Sequence, residues 1–271
     1  MKELIGFGWE FTSPKERDAR RKYGERERKK RHREREFVFL IKDFFSKAKG
    51  GLTLGEMGLL LFLARYMRFS EEGRLIFKSK RLSVSELAKL VKKSPSQVRR
   101  LLAELERRSL IFRIREGNNV YVELSEELFV CGSLNGENVK TVKIFKKTLG
   151  EVAKDLSLNE LGFLMLMLES MHWRSHLLCS NSEEGDINKL NLLYKKDLPS
   201  KLGVSKDFVY RTLRKFQKLG VIAEVKEAKG GICLHPQIVS RQHINPNWEE
   251  ICHCIESAQS KKYPKHDSEP A

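Results

Sequence analysis

The stretch SVSELAKLVKKSPSQVRRLLAELERRSLIFRIR, residues 83–115, decides the expected fold of this chain. Its apolar positions recur every three to four residues on both sides of the KKSP segment at 92–95, and this spacing predicts two short helices joined by a turn. Each expected helix begins with the spacing of a capping box, in which a hydroxyl and a later side chain satisfy free amides at the helix start. The two pairs are Ser83 with Glu86 and Ser94 with Gln97.

The second expected helix has two distinct faces. Val98, Leu102 and Leu105 share an apolar stripe, which is expected to pack on a core. The opposite face carries Ser, Gln and Arg side chains, a composition suited to insertion into the major groove of DNA. The β-like run LIFRIR follows at 110–115, turns near Gly117 and returns through VYV at 120–122. The predicted order is therefore helix, turn, helix and two-stranded hairpin.

This segment resembles a winged-helix DNA-binding domain, similar to those of bacterial transcription regulators and plasmid replication initiators. The resemblance implies that the second helix reads base edges and that the hairpin, called the wing, contacts the DNA backbone or the minor groove. The residues alone leave one alternative open, an ordinary helical domain whose charged face only keeps it in solution.

The chain also repeats itself. LTLGEMGLLLFLARYM at 52–67 aligns without a gap on LSLNELGFLMLMLESM at 156–171, and both copies carry a capping box and a matching glycine. Residues 86–111 align in turn on residues 197–222. Two similar blocks in the same order predict a duplication. We therefore expect an α+β fold, mainly α with small β wings, made of two tandem winged helix-turn-helix domains.

Composition sets the expected boundaries. A segment rich in Lys, Arg and Glu but poor in apolar residues is expected to be partly disordered, and a stretch rich in Gly, Asn and Ser is expected to be a flexible linker that lets the domains reorient. The chain is expected to be irregular after His243. The expected segments are a basic N-terminal arm at 1–36, a first winged-helix domain at 37–132, a linker at 133–141, a second winged-helix domain at 142–242 and a C-terminal tail at 243–271.

The charge balance points to a polyanionic partner. The 271-residue chain has 52 Lys and Arg against 36 Asp and Glu, a net charge of +16, which favours nucleic acid over a membrane surface. The apolar run LLLFLA at 59–64 is too short to span a bilayer, and a signal peptide is not expected, because residues 1–11 are soon followed by Arg and Lys. The five cysteines, an odd number without framework spacing, are expected to be reduced. The chain is therefore expected to be cytoplasmic, with no membrane partner.

The residues expected to touch double-stranded DNA fall into three groups. Base reading is assigned to polar side chains of the two second helices, because Arg pairs well with guanine and Gln with adenine. The base-reading candidates are Gln97, Arg99, Arg100, Lys206, Tyr210, Arg211 and Arg214. The candidates for phosphate contact are Lys92, Lys93, Ser94, Ser96 and Ser205. The wing candidates are Arg113, Arg115, Asn118, Asn119, Lys226 and Lys229. For any single Arg, a solvated surface charge is the alternative.

The sequence contains no recognisable catalytic or cofactor motif. It has no GxxxxGK[ST] loop, no HExxH, no serine elbow and no paired histidines with a catalytic tyrosine of the kind a nicking initiator needs. We therefore expect a protein that is not an enzyme and holds no cofactor. A metal site is also not expected, because the metal-capable residues near the C-terminus lack the paired spacing of zinc ligands and are better suited to filling small gaps. These residues are Cys233, His235, His243, Cys252 and Cys254.

Three functional interpretations follow. Duplicated winged helices with a basic arm and no catalytic motif resemble plasmid and phage replication initiators, which bind origin repeats and recruit host replication proteins. The LHP sequence at 234–236 is similar to the Leu-Asn-Pro ending of some plasmid replication proteins. The alternatives are a winged-helix transcriptional regulator and an interaction module whose second domain binds protein. Because the two second helices differ in sequence, one chain is expected to prefer an asymmetric site of about two helical turns, with a homodimer on a palindrome as the alternative.

Overall fold

The computed structural model describes residues 36–69, 71–134, 139–225 and 230–262, together with residues 18 and 22. For residues 259–262 only the backbone is described. Most of the expected N-terminal arm, part of the expected linker and the wing candidates Lys226 and Lys229 lie outside these residues.

The fold is mixed α+β with small sheets. Most elements recur in the same order in both halves, apart from a short hairpin in the first half and a 3-10 turn and a final helix in the second. The first half contains β1 (Phe37–Ile41), α1 (Lys42–Ala48), α2 (Leu54–Ala64), β2 (Ile76–Phe77), β3 (Lys80–Arg81), α3 (Val84–Leu90), α4 (Pro95–Arg107), β4 (Ile111–Glu116), β5 (Asn119–Leu124) and β6 (Phe129–Val130). The second half contains β7 (Thr141–Phe145), α5 (Lys146–Val152), α6 (Leu158–Glu169), a 3-10 turn (Ile187–Lys189), α7 (Leu198–Leu202), α8 (Lys206–Lys218), β8 (Ile222–Val225), β9 (Gly231–Leu234), β10 (Val239–Ser240) and α9 (Trp248–Lys262).

The predicted helix starts and the first predicted hairpin are confirmed. Ser83 accepts from the amide of Glu86 while the Glu86 carboxylate accepts from the amide of Ser83, and Ser94 and Gln97 exchange the same two bonds at the start of α4. Strands β4 and β5 pair antiparallel around Gly117, whose φ of 58° requires the left-handed conformation that glycine adopts at little cost.

The two halves share one sheet, in the order β10-β7-β1-β6. Strands β1 and β7 are antiparallel, with Phe37 opposite Phe145 and Phe39 opposite Lys143. The two repeats are offset by 104 positions, as residues 52–67 and 156–171 show, so residue 37 is equivalent to 141 and residue 41 to 145. Exchanging the halves therefore reproduces the same strand pairs. This register places a local twofold axis at the Phe39–Lys143 pair.

Helices α2 and α6 cross at backbone contact on the same axis. A Cβ added at Gly58 would lie 1.7 Å from the carbonyl oxygen of Leu158, and one added at Gly162 would lie 1.9 Å from that of Leu54. Leu54 and Leu158 are repeat equivalents, so the crossing also has twofold symmetry. Only glycine permits this approach. The expectation that the linker lets the two halves reorient is therefore wrong, because the sheet and the helix crossing hold them together.

The expectation of an irregular chain after His243 is also wrong as far as Lys262. Helix α9 buries Ile251 and Ile255, each 1% exposed, against Val225 and Cys233 of the second hairpin. These isoleucines recur four residues apart and so share one face of the helix. Within the described part of the chain, every helix is too short or too polar to cross a membrane.

Candidate nucleic-acid interface

Helix α4 buries its apolar stripe in the core and exposes its polar face. Val98, Leu102 and Leu105 are all 0% exposed. The rest of the first two turns points outward, so Ser96, Arg99 and Arg100 are exposed. This is the face that the sequence predicted for base reading, and the structure leaves it accessible.

The turn before α4 brings two lysines to the surface beside that face. Lys92 has φ 53°, a left-handed conformation that is unusual for a residue with a side chain. Its counterpart in the second half is Gly203, with φ 64°. Lys92 and Lys93 are both exposed and have no carboxylate within ion-pair distance among the described residues.

Carboxylates at the far end of α4 engage the remaining arginines. Glu104 accepts from Arg107 at 2.7 Å and from Arg108 at 2.8 Å, and these hydrogen bonds hold the pKa of Glu104 at about 2. Glu106 pairs with Arg113 of β4, accepting from its Nε at 2.7 Å, and this bond lowers the pKa of the Glu106 carboxyl. The predicted wing contact by Arg113 therefore competes with an ion pair inside the chain.

Other arginines of this surface have no carboxylate partner among the described residues. Arg99, Arg100 and Arg115 are exposed, and none of them pairs with a carboxylate in the described ranges. Asn118 and Asn119 are exposed at the tip of the first hairpin, where the sequence predicted the wing.

Two of the predicted contacts are already occupied at the start of α4. Ser94 Oγ accepts from the amide of Gln97 at 3.3 Å, and Gln97 Oε1 accepts from the amide of Ser94 at 3.2 Å. A phosphate contact by Ser94 would cost this cap. The side-chain amide nitrogen of Gln97 still points from the exposed first turn and can donate to a base.

Helix α8 repeats the arrangement in the second half. Val209 and Phe216 are 0% exposed, whereas Lys206, Arg211 and Arg214 are exposed. Arg214 lacks an ion-pair partner within the described segments. These side chains occupy the outward face that the sequence assigned to them.

Tyr210 on α8 is half-buried and lies between two ammonium groups. Lys195 Nζ is 4.6 Å from the centroid of its ring and Lys206 Nζ is 5.7 Å away. Lys195 was not among the sequence candidates, because it precedes α7 and so lies outside the helix to which base reading was assigned. Ser205, the residue before α8, is exposed and its side chain makes no capping bond, unlike Ser94. It is therefore available to an external acceptor or donor.

The five metal-capable residues near the C-terminus do not form a cluster. No three His, Cys, Asp or Glu side chains in the described ranges come together as metal ligands. Cys233 is fully buried, donates to the carbonyl of Ser175 at 3.4 Å, and burial raises the pKa of its thiol. No disulfide joins any two of the five cysteines.

Scans against protein-family models, curated proteins and solved structures found no match to this chain.

Proposed function

We propose that this protein binds double-stranded DNA sequence-specifically through two winged-helix units, one in each half. The observation that carries the proposal is the pair of surface helices α4 and α8. Each follows a short helix, precedes a two-stranded hairpin, and exposes basic side chains on the face opposite its apolar stripe. A helix of this kind fits the major groove, with Arg forking onto guanine.

The distribution of ion pairs supports the same surface. Acidic residues near the C-terminal end of α4 neutralise Arg107, Arg108 and Arg113, while Arg99 and Arg100 near its N-terminal end keep their full charge for a partner. The N-terminal residues of a recognition helix are the ones that usually reach base edges.

The twofold relation between the halves changes the expected DNA site. If the axis at Phe39 and Lys143 also relates α4 to α8, the two helices meet the duplex in opposite orientations. We propose two half-sites in inverted orientation, bound by a single chain. Their sequences differ because α4 begins PSQVRR and α8 begins KDFVYR.

The role we propose for this binding is replication initiation at an origin, followed by recruitment of host replication proteins. It rests on the resemblance of the duplicated winged helices to plasmid and phage initiators. A transcriptional regulator is the alternative. The two roles separate in a plasmid assay, in which a circular DNA carrying the selected site and this gene as its only initiator replicates in the host. Repression of a reporter without replication would favour the regulator.

Arginine substitutions test the DNA interface. Arg99→Ala and Arg100→Ala should each lower the affinity for a selected duplex by about 1–3 kcal/mol and relax the preference at one base position. Arg107→Ala is the matched control, because it removes the same side chain from the same helix where Glu104 already engages it. Fluorescence anisotropy over a salt series measures both the affinity and the number of phosphates neutralised. Equal losses at all three positions would contradict recognition by the start of α4.

Half-site spacing tests the fixed orientation. Once footprinting has located the two half-sites, insertion of five or ten base pairs between them should reduce the affinity to that of one half-site, a loss of about 10²–10⁴ if the second unit binds as an intramolecular event. A flexible connection would tolerate the ten-base-pair insertion, since it restores the helical phase.

A further inference from the structure

The local twofold axis relates the surroundings of Lys42 to those of Lys146, and the two places differ in the groups that fill them. The repeat offset carries Lys42 to Lys146. Strand β6 pairs with β1 through Phe39 and Val130, and β10 pairs with β7 through Lys143 and Ser240. Since Phe39 and Lys143 are exchanged by the axis, the residues after these strands, Cys131 and Arg241, are also equivalent.

Around Lys42 this surrounding, the Lys42 site, is filled by a carboxylate from the second half, Glu183. Lys42 Nζ donates to Ser182 Oγ at 2.6 Å and to Glu183 Oε1 at 2.5 Å. Arg241 Nη2 donates to both oxygens of Glu183, at 2.7 and 2.8 Å, and Arg241 Nη1 donates to the carbonyl of Met171 at 3.0 Å. Burial works to raise the pKa of Glu183, but the hydrogen bond from Lys42 and the two nearby cations outweigh it and hold that pKa at about 2.

Around Lys146 the equivalent surrounding, which includes residues of the first half and is named the Lys146 pocket, is open. Lys146 Nζ donates to the carbonyl of Met67 at 3.0 Å, and the thiol of Cys131 donates to the same oxygen at 3.8 Å. The bond from Cys131 is the equivalent of the bond from Arg241 to the Met171 carbonyl. A cavity of about 780 Å³ adjoins Lys146, and by the repeat equivalence it corresponds to the space that Ser182 and Glu183 fill beside Lys42. Its charged and aromatic lining is Glu36, Phe37, Arg65, Tyr66, Arg68, Phe69, Glu71 and Lys146.

The cations of the Lys146 pocket are poorly neutralised. Glu36 lies 3.1 Å from Lys146, but its side chain is 82% exposed, and such a pair is worth little in water. Glu71 lies 4.0 Å from Arg74 on the other side. Arg65 stacks over the ring of Tyr66 at 4.6 Å and, like Arg68, has no carboxylate partner among the residues that the structure describes.

We propose that the Lys146 pocket binds a small organic acid, whose carboxylate takes the place that Glu183 has in the Lys42 site. Lys146 and Arg65 donate to the carboxylate, because a guanidinium and an ammonium are the donors that proteins use for this group. An apolar body of the acid lies against the rings of Tyr66 and Phe69. The volume is in the range of small-molecule sites, roughly 300–1,000 Å³. The ligand contacts both halves, since Lys146 begins α5 of the second half and Arg65 directly follows α2 of the first.

The test is calorimetric titration of the full chain, without DNA, with 4-phenylbutyrate and its neutral analogue 4-phenylbutyramide. We expect saturable one-to-one binding of the acid and at least tenfold weaker binding of the amide. Lys146→Met and Arg65→Gln should each weaken the acid at least tenfold. Lys140→Gln is the matched control, because Lys140 is exposed and outside the pocket, and it should leave the affinity unchanged.

Three outcomes would overturn the proposal: no saturable binding at millimolar acid, equal binding of acid and amide, or unchanged affinity in both charge variants. Should a charge variant fail to fold, Phe69→Ala supplies the test, because Phe69 is 70% exposed and its removal leaves the core intact. It should weaken the acid several-fold without lowering the melting temperature, and an unchanged affinity would count against the site. Because no DNA is present, the result is independent of the proposed DNA binding.

Discussion

Replacing Gly58 by alanine tests whether the crossing of α2 and α6 holds the two halves together. The new methyl group would lie 1.7 Å from the Leu158 carbonyl oxygen, whereas real Cβ atoms keep at least 3.0 Å from such an atom. The helices would have to separate by about 1.3 Å, and a gap of roughly 1 Å already forfeits up to half of the dispersion energy of each contact. We expect the free energy of unfolding to fall by about 3 kcal/mol, even though alanine gains about 1 kcal/mol over glycine in a helix.

Denaturant unfolding of matched variants measures this loss. Gly162→Ala should cost as much as Gly58→Ala, because its methyl group would lie 1.9 Å from the Leu54 carbonyl oxygen. Gly55→Ala, on the same helix as Gly58, is the control. Its methyl group would lie 3.3 Å from the side-chain oxygen of Asn159 and 3.9 Å from side-chain atoms of Leu101 and Thr53, with no backbone atom in the way. The stability should therefore stay constant or rise by up to about 1 kcal/mol. A Gly58→Ala protein as stable as the wild type, or a Gly55→Ala protein as damaged as Gly58→Ala, would refute the reasoning.

Two further substitutions test a residue that affects both stability and DNA binding, and a buried lysine that makes stability depend on pH. Lys92→Gly should raise the free energy of unfolding by about 0.5–1 kcal/mol, because it relieves the left-handed conformation at φ 53°. The same substitution should lower the salt dependence of the DNA affinity by about one phosphate. A loss of both stability and affinity would contradict this. Lys143 is 5% exposed and donates to the carbonyl of His243 at 2.5 Å and to Asn245 Oδ1 at 3.2 Å, and burial lowers its pKa from 10.5 to about 8. The unfolded chain therefore binds more protons between pH 8 and pH 10.5, so the wild type should gain about 2–3 kcal/mol relative to Lys143→Met as the pH rises from 7 to 10. Unfolding curves of both proteins across that range measure the difference, and a gap independent of pH would argue against a buried ammonium.

Local features of the fold could be predicted because they depend on residues a few positions apart. Ser83 with Glu86 and Ser94 with Gln97 satisfy each other within one helical turn, so their spacing was sufficient evidence. The duplication was also visible from the matched glycines. The sequence did not show why glycine is needed at these positions, because each glycine faces a carbonyl oxygen of the other repeat, about a hundred residues away.

Features that join distant segments could not be predicted. The sequence around Glu183, rich in Ser, Asn and Gly, is typical of a surface loop. Glu183 instead pairs with Lys42, 141 residues earlier, and with Arg241, 58 residues later. The irregular appearance of the C-terminal region had a related cause, because the cysteines and histidine around Ile251 and Ile255 obscured their helical spacing.

The candidate DNA-contacting residues were predicted as a set but could not be ranked. On the sequence, Arg113 and Arg115 are equivalent basic residues of the wing. In the fold, Glu106 reaches across from α4 to Arg113 and leaves Arg115 alone. Which arginines keep their charge for a partner is decided by carboxylates that come close only after folding.

The shared sheet imposes an order on synthesis. The residues of strand β1 are synthesised early, but both of its neighbours, β6 and β7, leave the ribosome about ninety to a hundred residues later. Until then its backbone donors and acceptors are unpaired, and the glycine face of α2 has no α6 to cover it. Pairings of such large sequence separation are slow to form, and the unpaired strand edge is open to other chains in the meantime. The nascent first half is therefore the stage at which this protein most needs a chaperone, and a termination in the middle of the gene releases a fragment prone to aggregate rather than a working half.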